Sequence, residues 1–146
     1  MVITAIDDHG RLFVSPRIDD WSVIDEHGIS VVVDLEGRID SGIPSGDGTR
    51  MYLYFPFEDE SVPDRVLVDA LADFLAALHR AGHRVLVHCS MGLNRSPLGA
   101  GAVLHRRGWK GRDAVERLRE RRPGALFNEH YSAYLESLDE VRDSQA

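Results

Sequence analysis

His88-Cys89-Ser90-Met91-Gly92-Leu93-Asn94-Arg95-Ser96 sets one cysteine and one arginine six positions apart across a short turn. Before it, Arg84-Val85-Leu86-Val87 is a short β-branched run. After it, Pro97 to Leu104 opens on proline, carries small residues and reads as a helix. The turn therefore joins a buried strand to a helix N-terminus. In such a loop the backbone N–H groups converge as an anion nest and the helix dipole adds positive potential. The Arg95 guanidinium can bind two phosphate oxygens at once. The same three effects favour the thiolate of Cys89 over its thiol, which makes it a nucleophile. The plainer reading of a lone cysteine at a strand end is a small buried hydrophobe.

The run resembles the signature of the cysteine-dependent protein tyrosine and dual-specificity phosphatases, His-Cys, five residues, Arg, then Ser or Thr. From average residue usage, a chance match around one given cysteine is on the order of 1 in 10,000 or rarer. The resemblance runs from about Gly10 to Leu138. It implies an α/β fold of the dual-specificity phosphatase type, a central, mostly parallel sheet flanked by helices. It also implies hydrolysis of a phosphate monoester through a cysteinyl-phosphate formed on Cys89. Ser90, Met91, Gly92, Leu93 and Asn94, with Arg95, then form the substrate-binding loop, where a phosphate or sulfate ion is expected. Ser96 can donate its hydroxyl to the sulfur as it leaves the intermediate. Gly92 supplies the freedom a tight nest requires, Asn94 braces the loop, and His88 orients it through imidazole hydrogen bonds.

A leaving alkoxide or phenoxide needs a proton, and general acid catalysis contributes about 10²- to 10⁴-fold. In the family an aspartate on a loop about thirty residues before the cysteine supplies it. Here Phe55-Pro56-Phe57-Glu58-Asp59-Glu60-Ser61-Val62-Pro63-Asp64 fills that stretch. Asp59 aligns with the acid of members reading aromatic-Pro-Phe-Asp-Asp, with Glu58, Glu60 and Asp64 as neighbouring alternatives. The run also reads as a solvated loop, with Asp64 at a helix start. Downstream, Arg121 to Asn128 resembles the segment that packs behind the phosphate loop, and Asn128 also reads as a helix cap.

The 146 residues, 43% hydrophobic and 28% charged, suit one globular domain, 1–146, with a core of its own. One cysteine forms no internal disulfide, Met1 to Asp8 has no signal-peptide character, and no segment reads as a membrane span. A cytoplasmic, reducing compartment and a monomeric state are the expectations. Lys110 is the only lysine among many arginines, alanines and glycines, a GC-rich bias that points to a bacterial source.

Strands and helices alternate along the chain. Ile3–Ile6 and Leu12–Val14 read as a hairpin. A short helix follows Asp20 and ends near Gly28, and Ile29–Leu35 is apolar enough for a strand covered on both faces. Glu36–Thr49 reads as a loop and Met51–Phe55 as a strand. A helix opened by Pro63 carries Val66, Leu67, Ala70, Leu71, Phe74, Leu75 and Leu78 as its inner face. Gly111–Arg121 and Glu129–Val141 complete the helices.

Eight basic residues between Arg106 and Arg122 are interrupted by Asp113, Glu116 and Glu120 in a chain of net charge −7. They read as a solvated helix face, with nucleic acid not expected as a partner. The seven histidines lack zinc-site spacing, and the implied mechanism uses no metal or cofactor. Trp21 and Trp109 read as packing residues. No lysine stands among the variable loop positions, unlike phosphoinositide phosphatases of the superfamily. Gly-Leu-Asn-Arg resembles the RNA 5′-triphosphatase branch, whereas Ser96-Pro97 favours the protein phosphatases. A phosphorylated protein or peptide, phosphotyrosine foremost, is the implied substrate, in a shallow pocket bounded by Asp34–Arg38, the Asp59 loop and the phosphate loop. A small phosphorylated metabolite, or a non-catalytic pseudophosphatase that only captures a phosphorylated partner, are the other readings.

Overall fold

The computed structural model describes residues 1–44 and 50–143, the last five by backbone alone. Part of the predicted loop, 45–49, thus lies outside the described residues. Five strands, β1 (Thr4–Ala5), β2 (Leu12–Ser15), β3 (Val31–Asp34), β4 (Met51–Tyr54) and β5 (Val85–His88), form one sheet in the order β1-β2-β5-β3-β4. The hairpin partner β1 runs antiparallel, and the other pairings are parallel. Five helices accompany them: α1 (Trp21–Glu26), α2 (Arg65–Arg80), α3 (Arg95–Arg106), α4 (Gly111–Arg121) and α5 (Glu129–Asp143).

The central strands alternate between two apolar layers, as a strand period of two dictates. Val31, Val33, Val85 and Val87 join Leu12 and Val14 under α2 to α5. Val32, Leu86 and Phe13 face the other way, onto Ile24 of α1 and Trp21. At Gly111 a Cβ would lie 1.8 Å from the Leu135 carbonyl oxygen, so the backbones of α4 and α5 touch where only glycine fits.

The inner face of α2 differs from the expected one. Val66 is 74% exposed, and Leu67 and Phe74 also face outward, while Val68, Leu71, Ala72, Leu75, Ala76 and His79 are buried. Two overlapping stripes satisfy helical spacing here, and hydrophobicity alone prefers the bulkier one. Packing on α3 selects the stripe with small alanines, which let the helices approach. The active-site helix also begins two residues before Pro97: Leu98 N–H already donates to the Asn94 carbonyl, which puts Arg95 and Ser96 in the first turn. The first four N–H groups of a helix have no partner within it, so proline at its third position removes nothing.

The basic stretch is solvated as expected at Lys110, Arg112, Arg119 and Arg121, which are exposed, but several of its arginines are also tied to neighbouring elements. Arg106 pairs with Asp69 and Asp73 of α2, and Arg107 donates to His79. Arg117 binds Asp8 and the Ile6 carbonyl and lies over the Trp109 ring at 4.6 Å. Arg119, Arg121 and Arg122 donate to backbone carbonyls of Ala125 and Leu126, Ala5, and Met91 and Gly92 respectively.

His79 is fixed from below by Asp7, where the chain turns between β1 and β2. Asp7 accepts from the Arg11 and Leu12 N–H groups at 2.9 and 3.0 Å and from His79 Nε2 at 2.7 Å. Burial works against the charge, but the hydrogen bonds from His79, Leu12 and Arg11 outweigh it and hold the carboxyl at about 2. A carboxylate lowered from its ordinary 3.8 contributes about 2 kcal/mol of stability. That stability is present in full above the unfolded value near pH 4 and is lost as pH falls toward about 2. Asp7→Asn is expected to lower the unfolding free energy by about 2 kcal/mol at neutral pH and to flatten its decline in acid. Urea titrations at stepped pH would measure both; an unchanged acid slope would contradict the assignment.

Candidate active site

The parallel register brings Ser15, His88, Asp34 and Tyr54 to one edge of the sheet, so the segments after β2, β5, β3 and β4 emerge side by side. Ligand sites in such sheets form at the carboxyl ends of the strands. Here the loop from Cys89 to Asn94 lies at the centre, with its carbonyls held from outside. Ser90 O accepts from Arg17 N–H, and Met91 O and Gly92 O accept from the Arg122 guanidinium. Leu93 O accepts from Leu126 N–H at 2.7 Å, and Asn94 O accepts from Leu98 N–H. In a trans peptide the carbonyl and the following N–H point in opposite directions. Five carbonyls turned outward therefore turn the N–H groups of residues 91 to 95 inward, the nest expected from the sequence. Gly92 makes the turn at φ +72°, where a Cβ would meet Ser15 and Pro16 backbone atoms at 2.8 Å. It shapes the loop and gives its N–H to the nest.

Cys89 is 3% exposed, yet it is among the residues that line the cavity. Ser96 Oγ lies 3.3 Å from Sγ, and the Ser96 N–H donates to Sγ at 3.4 Å. The helix start therefore places both its hydroxyl and its backbone dipole on the sulfur. Arg95 holds one edge of its guanidinium against the Phe57 carbonyl at 3.0 Å and the Leu35 carbonyl at 3.5 Å. The cavity, about 220 Å³, is lined by Cys89, Ser90, Met91, Leu93, Asn94, Arg95, Asp59 and Phe127.

Of the four carboxylates considered as acid, Asp59 is the one that lines this cavity. Asn94 Nδ2 donates to its Oδ2 at 2.9 Å, and Asn128 Nδ2 donates to its Oδ1 at 2.8 Å. Asn94 Oδ1 in turn accepts the Asn128 N–H at 3.0 Å, while Asn128 Oδ1 accepts the His130 N–H at the start of α5. Asn128 is thus both helix cap and clamp for the acid loop. The loop is further pinned by Tyr131, whose hydroxyl donates to the Glu58 carbonyl at 3.0 Å. Burial, helped by the Asp59 charge, pushes the Tyr131 phenol up to about 12, so it stays a donor. Asp64 instead caps α2 by accepting from Val66 N–H.

Two expectations are corrected. His88 does not bond the phosphate loop through its imidazole. Its Nε2 donates to Asp40 at 2.7 Å, and its Nδ1 has no hydrogen-bond partner among the described residues. Strand alternation turns His88 to the face opposite Cys89, where it braces the loop after β3. The Asp34–Arg38 segment likewise does not wall the pocket. Apart from the Leu35 carbonyl, it lies beside a separate cavity lined by Arg17, Glu36, Arg38 and Asp40. The pocket wall is Phe127, which the sequence reading placed only behind the loop. Its signal was the left-handed turn before it, which no residue type at Leu126 announces.

Asp34, Glu36, Asp40 and His88 bring one ligand atom each within 4.8 Å of one another, a grouping the histidine spacing did not reveal. Each is already matched. Arg17 pairs with Glu36 at 2.5 Å, His88 with Asp40, and the Tyr52 hydroxyl donates to Asp34 while accepting the Asp40 N–H. Burial pushes the Asp34 carboxyl above the usual range despite the Tyr52 bond, and burial with that same bond pushes the Tyr52 phenol up as well. The group is an internal brace beneath the site.

The profile of the dual specificity phosphatase catalytic domain matches residues 12–140. Mouse protein tyrosine phosphatase type IVA 2 is 32% identical over 114 residues, 76% of this chain and 67% of that protein. Bovine protein tyrosine phosphatase type IVA 3 is 34% identical over 117 residues, 76% of this chain and 65% of that protein. In structure, human DUSP28 superposes with a TM-score of 0.82 at 21% identity, covering 99% of this chain and 100% of its own, a likeness of fold. The active form of Tk-PTP gives 0.73 at 28% identity over 94% of this chain and 96% of its own. Among the described residues no helix is long and apolar enough to cross a membrane. With the signature loop, its arginine and its cysteine assembled in one cavity, the chain belongs to the dual specificity phosphatase catalytic-domain family and is a cysteine-dependent protein phosphatase.

Proposed function

We propose that this protein, as a single cytosolic domain, hydrolyses phosphotyrosine foremost, with phosphoserine and phosphothreonine as further substrates, through a cysteinyl-phosphate on Cys89. The observation that carries this reading is the sharing of one cavity by Cys89, Arg95 and Asp59, with Ser96 against the sulfur. The substrate phosphate lies in the nest of loop N–H groups, two of its oxygens on the free edge of Arg95. The Cys89 thiolate attacks phosphorus, the P–S bond forms, and the P–O ester bond breaks as Asp59 gives its proton to the leaving oxygen. A water then attacks phosphorus and loses its proton to Asp59. The P–S bond breaks, inorganic phosphate is released, and the Ser96 hydroxyl donates to the returning thiolate. Each residue ends the cycle as it began, and no electron transfer or metal is required. Phosphate or sulfate is the simplest occupant of the loop.

The direct test is to mix the enzyme with ³²P-labelled phosphotyrosine peptide in the presence of a metal chelator, quench in acid within milliseconds, and look for label on protein. Label on the peptide containing Cys89, appearing and decaying at rates that match turnover, is the expected result. Turnover without protein-bound label, or its loss to the chelator, would overturn the mechanism.

A further inference from the structure

We propose that Phe127 selects aryl phosphates at this site. Its ring forms a wall of the pocket mouth and packs on the ring of a phosphotyrosine whose phosphate lies at Cys89 and Arg95; this rests on the reading of the pocket given above. A phenylalanine is ordinarily among the buried side chains, but Phe127 is 66% exposed. It is also held there by its neighbours on both sides. Leu126 N–H donates to the Leu93 carbonyl at 2.7 Å, and Asn128 N–H donates to Asn94 Oδ1 at 3.0 Å, so both flanking peptides are fastened to the phosphate loop. The Leu126 carbonyl is fixed too, accepting from Arg119 at 2.9 Å.

Leu126 sits at φ +60°, the one non-glycine residue with positive φ among those described. A γ-branched residue in the left-handed region is strained, and such strain persists only where the surroundings impose it. Its effect here is geometric. Leu126 is buried in the core, Phe127 turns out to the mouth, and Asn128 reaches the acid loop. Met91, 65% exposed, also lines this cavity from the phosphate loop and brings a thioether suited to aromatic contact. The floor of the cavity is thus built of anion-binding groups, while two apolar side chains stand at its mouth, where the ring of a phosphotyrosine must pass. A phosphoserine ester has no ring to meet them, so its discrimination from phosphotyrosine resides in these two side chains, and chiefly in Phe127, whose flat ring stacks on an aryl group.

The test is binding of phenylphosphonate and of inorganic phosphate to the wild type, Phe127→Ala and Phe127→Tyr by titration calorimetry, with KM and kcat for a phosphotyrosine peptide beside it. Phe127→Ala is expected to weaken phenylphosphonate and raise KM about tenfold. It should leave inorganic phosphate binding and kcat nearly unchanged, and Phe127→Tyr should restore the wild-type values. An aryl preference that survives Phe127→Ala, or an equal loss for both ligands, would overturn the role of Phe127 while the phosphate site stands. Failure of the wild type to bind inorganic phosphate would overturn the reading of the pocket itself, and this inference with it.

Discussion

Replacing Cys89 by serine is expected to lower turnover of p-nitrophenyl phosphate by at least about 10⁴-fold while phosphate binding survives. The two halves of that expectation have different physical origins. Turnover needs a nucleophile that is ionised at neutral pH and leaves phosphorus readily; a thiolate does both, a serine hydroxyl neither. Binding belongs to the loop N–H groups and to Arg95. These are fixed by Arg17, Arg122, Leu126 and Leu98 on the outer side and by the Phe57 carbonyl, none of which touches the sulfur. Serine is the smaller side chain, so the exchange brings no clash with Ser96, whose Oγ lies 3.3 Å from the sulfur. Rates from steady-state assays in chelator, with phosphate titrated calorimetrically, separate the two. Residual activity within about tenfold of wild type would move the nucleophile elsewhere.

Asp59→Asn is the second large effect, a fall in kcat of about 10²- to 10⁴-fold for a phosphotyrosine or alkyl phosphate substrate. The loss should shrink as the leaving group becomes more acidic, because p-nitrophenolate departs with little help. That gradient matters here because Asn94 and Asn128 each donate to one Asp59 oxygen. An amide in place of the carboxylate keeps one acceptor and turns an N–H₂ group toward one of those donors, so the loop loses a fastening as well as a proton. A displaced loop would slow all substrates alike, whereas a missing acid slows them in order of leaving-group basicity and removes the alkaline limb of the kcat profile. A series of aryl phosphates assayed across pH distinguishes these outcomes. A flat dependence in the variant together with an intact alkaline limb would pass the acid role to Glu58 or Glu60.

The chain sequence alone determined the nucleophilic loop and the fold. Cys89, Arg95 and Ser96 are local to one strand–turn–helix unit, and their chemistry follows from spacing that no distant contact alters. The order of strands and helices is equally local, since a short, continuously apolar run marks the buried strand at Val31–Val33 and a helical period marks α2. Tertiary structure decided what depends on residues far apart in the chain. Helical spacing offered α2 two faces, and packing on α3 chose the one with Ala72 and Ala76. Strand alternation sent His88 away from the loop it follows and onto Asp40, 48 positions earlier. Asp59 stands apart from its acidic neighbours because Asn94, 35 positions on, and Asn128, 69 positions on, hold it over the cavity. Phe127 became a pocket wall through a left-handed turn at Leu126 that its bonds to Leu93 and Arg119, the neighbouring bond from Asn128 to Asn94, and its buried side chain impose. Local pattern specifies which groups can do the chemistry; contacts across the chain, each worth only a few kcal/mol at most, specify which of several equivalent groups are brought to it.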